Sequence, residues 1–341
     1  MGNRLGRLLL VPLLLSTIPG CSGCRNVSDK PAPSQVSLES RLGVLEDGQV
    51  TKSIARKLKQ VENAIEIRSA EDFQKIGVGN DYPLDGDYVL TQDIDFKEKG
   101  FTSIGDSDDP FTGTFNGRNH SLSNFVIDKP EKDYVSLFDT ISSDAIITNL
   151  VLKGKINGRN HVAGLAVENQ GNILYCSFIG ELNGVFGVGG LVSYNQGTLV
   201  ECYTKADVNG HIRVGGVVSN NFKGNLINCC SLGDITGGSS VGGVFGISSG
   251  GVIGGCYSKG KVKLIGNKKL KGQDVGGVGG RCTGTILYSC IPNENVSGDT
   301  NKGSLVGYMA GGDLIKCPDS DIPLIGIEKG VTHAETLYEL R

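Results

Sequence analysis

VGGLVSYNQGTLVECYTKADVNG, residues 188–210, is a pattern that the chain repeats with variations between residues 113 and 317. Aligning the Ile or Leu that opens its second half gives a column of Leu122, Ile147, Ile173, Leu199, Leu226, Ile253, Ile286 and Leu314. Three residues after each stands a second column of Phe125, Leu150, Cys176, Cys202, Cys229, Cys256, Ser289 and Cys317. In both columns the steps are 25, 26, 26, 27, 27, 33 and 28 residues. A self-similar period of that length marks a solenoid, whose single coil cannot bury its apolar face alone.

Each repeat has the same parts in the same order. An apolar residue precedes two small ones, as in Val162-Ala163-Gly164, Val188-Gly189-Gly190, Val214-Gly215-Gly216, Val241-Gly242-Gly243 and Val275-Gly276-Gly277. A short strand, a polar turn, a second strand and a turn such as Asn183-Gly184 follow. Strands this short on a coil of about 26 residues predict an all-β fold, a parallel β-helix (β-solenoid) of about eight coils. Equivalent residues then stack about 4.8 Å apart. The small pairs are read as close-packing devices, where a Cβ would strike the neighbouring coil. Columns three residues apart cannot both point inward along a strictly alternating strand, so a bend or bulge separates them or one faces outward.

Composition agrees with this reading. Gly is 52 of 341 residues and Pro only 10, which excludes collagen and implies many turns or close backbones. Lys plus Arg number 33 against 36 acidic residues, so no basic footprint for nucleic acid exists.

The VGGLVS and VGGVVS units, NQGTLVECYTKADVNG, and the opening DYVLTQDIDF, FTSIGD and FTGTFNGRNHSLSNFVI resemble the GLUG-motif repeat proteins of bacteria over residues 69 to 340. The Gly-Leu-hydrophobic core of that motif is best kept at Gly190-Leu191-Val192, with Ser193 replacing the last Gly. The resemblance implies a parallel β-helix on a secreted or cell-surface protein, as in parts of immunoglobulin A peptidases and large adhesins. It defines no catalytic or ligand residues.

Residues 1–20 read as a signal peptide: Arg4 and Arg7 precede an apolar run from Leu8 to Leu15 that is too short to span a bilayer. Ile18-Pro19-Gly20-Cys21 resembles a bacterial lipoprotein signal, which makes Cys21 the expected lipidation site and the membrane a partner through the lipid anchor, at the outer membrane or cell surface. A Ser-, Pro- and Lys-rich tether over 21–37 follows. Apolar residues at steps of three and four predict an amphipathic helix over 38–67. Ser69 with Asp72 forms a capping box for another short helix. The solenoid is expected over 68–331, and Thr332 with Glu335 predicts a capping helix over 332–341.

Cysteine placement favours filler over framework. Five of the eight solenoid Cys share a column with Phe125, Leu150 and Ser289, so the position asks for a compact, mostly apolar side chain. Cys230, next to Cys229, must face the other way, and with Cys282 and Cys290 it is the better candidate for oxidation. The segment NGRNH occurs twice, ending at His120 and His161, but at different phases of the coil. Asp106, Asp108 and Asp109 fit solvated turn chemistry better than a calcium or carboxylate site. Catalytic, cofactor-binding and metal-ligating residues are therefore assigned to none. The 33-residue step is an insertion in which Lys259, Lys261, Lys263, Lys268, Lys269 and Lys271 crowd together, a candidate loop for an extracellular polysaccharide or surface protein. These features lean toward a non-catalytic adhesin or scaffold. A polysaccharide lyase or glycosidase of the same fold is the alternative.

Overall fold

The computed structural model describes residues 64–265, 273–288, 290–315, 317 and 323–334, which lie in one compact unit. They form a parallel β-solenoid with almost no helix. The strands fall into three sheets of 17, 10 and 6 strands, here A, B and C, and every pairing is parallel. A coil such as 186–209 enters through sheet C at Phe186–Gly189 and turns at the glycines. It then crosses sheet A twice, at Val192–Asn195 and Thr198–Val200, and leaves through sheet B at Tyr203–Asn209.

The glycine pair makes the turn because nothing larger fits. A Cβ on Gly190 would lie 1.9 Å from the carbonyl oxygen of Gly216, and one on Gly216 would lie 2.1 Å from that of Gly243. The second glycine of each pair therefore stacks on the backbone of the next coil. The first faces its own chain, since a Cβ on Gly189 would meet the Val192 carbonyl at 2.0 Å. Four-ångström contact is the norm for carbon packing, so either substitution requires the backbone to move.

The aliphatic column is real but longer, and the register differs at two places. Backbone pairing runs Ile65, Tyr88, Phe115, Ile147, Ile173, Leu199, Leu226, Ile253, Leu287, Leu314 and His333, eleven rungs that bound about nine full turns and a short last one. Leu122 instead pairs with Ile94 and Leu152 in sheet B, and Phe125 stands opposite Gly154. Both are core residues, so hydrophobicity alone cannot tell one sheet from another. In the later coil Leu287, not Ile286, lies opposite Ile253, and Cys290 takes the place expected for Ser289, which lies outside the described residues. One residue of slip inside the run Ile286-Leu287 decides this, and pairing geometry resolves it.

Both columns face inward. Leu199 and Cys202 are each fully buried, and between them Glu201 adopts φ 49°, a left-handed bend that turns the second side chain back into the core. Asn149, Tyr175, Asn228 and Gly255 hold the same conformation at the same place. The thiols of Cys176, Cys202, Cys229, Cys256 and Cys290 are free and buried, each Sγ 3.3–3.7 Å from backbone carbonyl oxygens. Burial pushes Cys176 up to about 12 and raises Cys202 and Cys256 as well, as expected for thiols that serve as filler. Cys282 is also free and buried, whereas Cys230 sits outside this row in a small cluster with Tyr203 and Tyr257.

One interior row was not foreseen. Asn169 donates its amide to Asn195 Oδ1 at 2.8 Å, Asn195 donates to Asn221 Oδ1 at 2.8 Å, and Asn221 donates to Ser248 Oγ at 3.2 Å. Each asparagine also donates to a turn carbonyl of its own coil, that of Gly171, Gly197 or Gly224. These buried amides are thus satisfied along the stack rather than across it.

The ends differ from expectation. Ile65–Ile67 is a strand on Tyr88–Leu90 and not the end of a helix; the remainder of the predicted 38–67 helix lies outside the described residues. A sheet edge in register outweighs the i, i+4 spacing of Val61 and Ile65. The second helix forms as one turn, Ala70–Phe73, capped by Ser69 Oγ accepting from Asp72 N at 3.1 Å. Its Phe73 packs edge-on against Phe96, Phe101 and Phe115. At the other end Thr332–Ala334 forms a strand on Asp313–Ile315 where a capping helix was expected to open. Residues 335–341 of the expected helix, together with the signal, Cys21 and the tether, lie outside the described residues.

Candidate binding surfaces

The outer faces are where chemistry changes from coil to coil. In sheet A a row of one residue from each successive coil runs Thr140, Glu168, Tyr194, Asn220, Ile247, Arg281 and Tyr308, buried at Thr140 and facing outward from Glu168 onward. Sheet C meets sheet A at a corner beside this row. Ser193 Oγ donates to the Gly187 carbonyl at 2.8 Å and Ser219 Oγ donates to that of Arg213 at 2.7 Å, so outer groups of both sheets touch across the corner.

At the early end of the corner the groups are acidic and aromatic. Burial raises the Glu168 carboxyl, helped by neighbouring Asp139; Asp139 is itself raised by burial, with Asp106 adding to it. His161 lies flat against Tyr134 at 5.1 Å between ring centres and meets Phe186 edge-on, and Arg213 caps the far side of Phe186 at 4.9 Å. Burial lowers the His161 pKa. Beside the stack Arg159 grips Asp133 through two hydrogen bonds of 2.7 and 2.8 Å and holds its carboxyl down to about 2. Toward the late end Tyr194 stacks on Phe222, and Arg281 lies over the ring of Tyr308 at 4.4 Å.

Of the lysines singled out in the sequence, Lys259, Lys261 and Lys263 are exposed at alternate positions of one sheet B segment, with Val262 and Leu264 pointing inward between and beyond the last two. Lys259 Nζ lies 5.6 Å from the Tyr257 ring centre. Asp234 Oδ1 accepts from the backbone N–H of Lys261 at 2.8 Å rather than from its ammonium. Lys268, Lys269 and Lys271 lie outside the described residues. The acidic trio of residues 106–109 is an Asx-type turn: Asp106 Oδ1 accepts from the N–H groups of Asp108 and Asp109 at 2.9 and 2.8 Å. The two NGRNH copies do occupy different phases, since Asn116 ends a sheet A strand and Asn157 a sheet B strand. Sequence reading missed the Asp139 and Glu168 pair and the corner itself, because no local motif marks a meeting of two sheets.

No family model matches the chain. It is 30% identical over 157 residues to Halomucin of Haloquadratum walsbyi, an alignment that covers 42% of this chain and 2% of that protein. It is 29% identical over 94 residues to a protein of Evansella cellulosilytica provisionally named a Gly-rich membrane protein, covering 28% of this chain and 11% of the other. The chain thus spans a small fraction of the curated relatives it matches. Among solved structures it is similar to a Bacteroides ovatus protein provisionally named an immunoglobulin A1 protease, with TM-score 0.50 and 19% identity, covering 82% of this chain and 86% of that one. That likeness is one of fold. Among the described residues no helix is long and apolar enough to cross a membrane.

Proposed function

We propose that the chain is a surface-exposed bacterial lipoprotein of the GLUG-repeat kind, held to the membrane through Cys21, whose solenoid is a non-catalytic adhesive or scaffolding module for an extracellular polysaccharide or surface protein. The carrying observation is the outward row of sheet A. It spreads a different side chain at each rung along an unbroken backbone ladder, which suits contact with an extended ligand better than convergence on one reacting bond. The exposed Lys259, Lys261 and Lys263 add a basic strip for an acidic polymer. The resemblance to secreted repeat proteins and the names of the two partial relatives support a surface location.

The test is a screen of acidic and neutral glycans for both retention and cleavage by the mature chain. Retention without cleavage, weakened in a Lys259/Lys261/Lys263→Ala triple variant, is the expected result; cleavage would overturn it. Palmitate labelling lost in Cys21→Ser checks the anchor.

A second reading, a glycosidase of the same fold, rests on Asp139 and Glu168. Acid–base hydrolysis of a glycosidic bond needs one carboxyl held protonated beside a second that ionises, and burial on adjacent coils raises Glu168 with Asp139 as its neighbour. Sugar release that disappears in Glu168→Gln would establish it in place of the first reading.

A further inference from the structure

Arg281 is held differently from other residues of the outward row. Its Nε donates to Asp274 Oδ2 at 2.6 Å, and the Asp274 side chain is completely buried. The other oxygen of that carboxylate, Oδ1, accepts from Asn301 Nδ2 at 2.6 Å. The guanidinium plane also rests on Tyr308, and the same ring carries Lys329 Nζ at 5.9 Å. The corresponding pairs in the two preceding coils are Ser240 with Ile247 and Arg213 with Asn220, so the arrangement belongs to the coil that carries the lysine insertion. Asp274 is the residue at which the chain returns from that insertion to sheet C.

A buried carboxylate that binds Nε, with a ring beneath the plane, fixes an arginine in direction and rotation. The Arg281 side chain remains 36% exposed, and no described residue takes up its two terminal nitrogens. Those nitrogens form the end of the fork that pairs with planar or tetrahedral oxyanions through parallel hydrogen bonds. The Asp274–Arg281 pair is neutral as a whole, so net attraction for an anion comes from Lys329 across the Tyr308 ring. Pre-organisation of this kind lowers the ordering cost of binding.

We infer that Arg281, positioned by Asp274 and Tyr308 and assisted by Lys329, is an oxyanion receptor that takes a carboxylate or sulfate group of an acidic glycan. This rests on the reading of the solenoid as a binding module and names its ligand class. The receptor lies on sheet A, whereas the lysine strip lies on sheet B, so the two contributions separate by mutation.

The experiment is calorimetric titration of the mature chain with two probes, an oligogalacturonate hexamer for carboxylate and a heparin-derived hexasaccharide for sulfate, with maltohexaose as the neutral control. Binding of either acidic probe but not of maltohexaose is expected, and the probe that binds identifies the anion. Arg281→Lys keeps a charge for Asp274 but loses the fork, and should weaken that binding about tenfold while the chain still melts in one cooperative transition. Because Asp274→Asn could disturb a buried group, Tyr308→Leu serves as the second variant and should weaken binding about threefold. If neither acidic probe binds, or if Arg281→Lys binds as tightly as the parent, the receptor is refuted. Binding abolished only by the Lys259/Lys261/Lys263→Ala triple variant would also refute it while leaving the binding-module reading intact.

Discussion

Val192 and Tyr194 stand two residues apart in one strand and obey opposite rules. The row through Val192 is Phe138, Ala166, Val192, Val218, Phe245, Gly279 and Val306, apolar or glycine at every rung. The row through Tyr194 is polar, acidic, aromatic, amide, aliphatic, basic and aromatic in turn. Inside, each side chain must fit those 4.8 Å above and below it, so volume is shared between coils: a Cβ on Gly279 would lie 2.0 Å from the ring of Phe245, the large neighbour that fills its space. Outside, from Glu168 onward, side chains are partly exposed, and neighbours such as Arg281 and Tyr308 touch without having to fill a shared interior volume. A solenoid thereby separates the residues that keep it folded from those available for recognition.

The severest way to break this separation is at the glycine ladder. Gly216→Val would drive a side chain into the Gly243 carbonyl and Ser231, and should cost more than about 4 kcal/mol, abolishing the cooperative urea transition. Asn220→Val, in the same coil but on the outward row, should stay within about 0.5 kcal/mol. Asn195→Leu comes next. It leaves the Asn221 side-chain carbonyl without its donor and the Asn169 amide with the Gly171 carbonyl alone, and an unsatisfied buried group costs about 1–3 kcal/mol, read as a lowered urea midpoint. Cys229→Ser should cost about 1–3 kcal/mol by placing a hydroxyl in an apolar row, whereas Cys229→Ala is expected to be milder because it adds no polar group to bury.

The outer corner gives smaller effects with a pH signature. Because the folded-state pKa of Glu168 is raised, the native state binds the proton more tightly than the unfolded chain does. Its contribution to stability therefore declines as pH climbs above 4.5 through the raised value, where the charged form is left half-buried. Glu168→Gln should flatten that part of the profile of urea midpoint against pH; an unchanged slope would show that Glu168 does not titrate in that environment. Tyr194→Ala, which removes only an outer stacking partner of Phe222, should shift the midpoint least, by about 0.5 kcal/mol.

The sequence was most legible where one residue type repeats for one reason. The Val-Gly-Gly units could be read as a packing device before any coordinates, and the collisions at Gly190 and Gly216 are what that reading requires. The cysteines could be read as filler, and Cys176, Cys202, Cys229 and Cys256 are free and buried. Legibility failed where two core rows carry the same residue class. Leu122 matches the aliphatic column by spacing and belongs to sheet B by pairing, and Ile286 and Leu287 differ only by a one-residue slip. It failed again at the first edge, where Ile65 and Ile67 read as helical until the neighbouring strand is seen. The site was less visible still: the lysine strip stands out as a run of charge, but Asp274 and Arg281 are seven residues apart with no motif between them.

By itself, then, the amino-acid sequence determined the period, the parallel stacking and, in the coils of nearly constant length from Ile147 to Ile253, which residues face one another, because a repeat of steady length brings equal positions into register. The tertiary structure alone decided how one coil bends: the left-handed residues that turn both columns inward, the asparagines that join hands along the axis, and the corner where sheets A and C set an arginine against a buried aspartate. The asparagines recur at the 26-residue step of the repeat, but only the bend of each coil turns them inward, and nothing periodic links Asp274 to Arg281. Only the folded backbone, with its closest approaches set by glycine, brings them together.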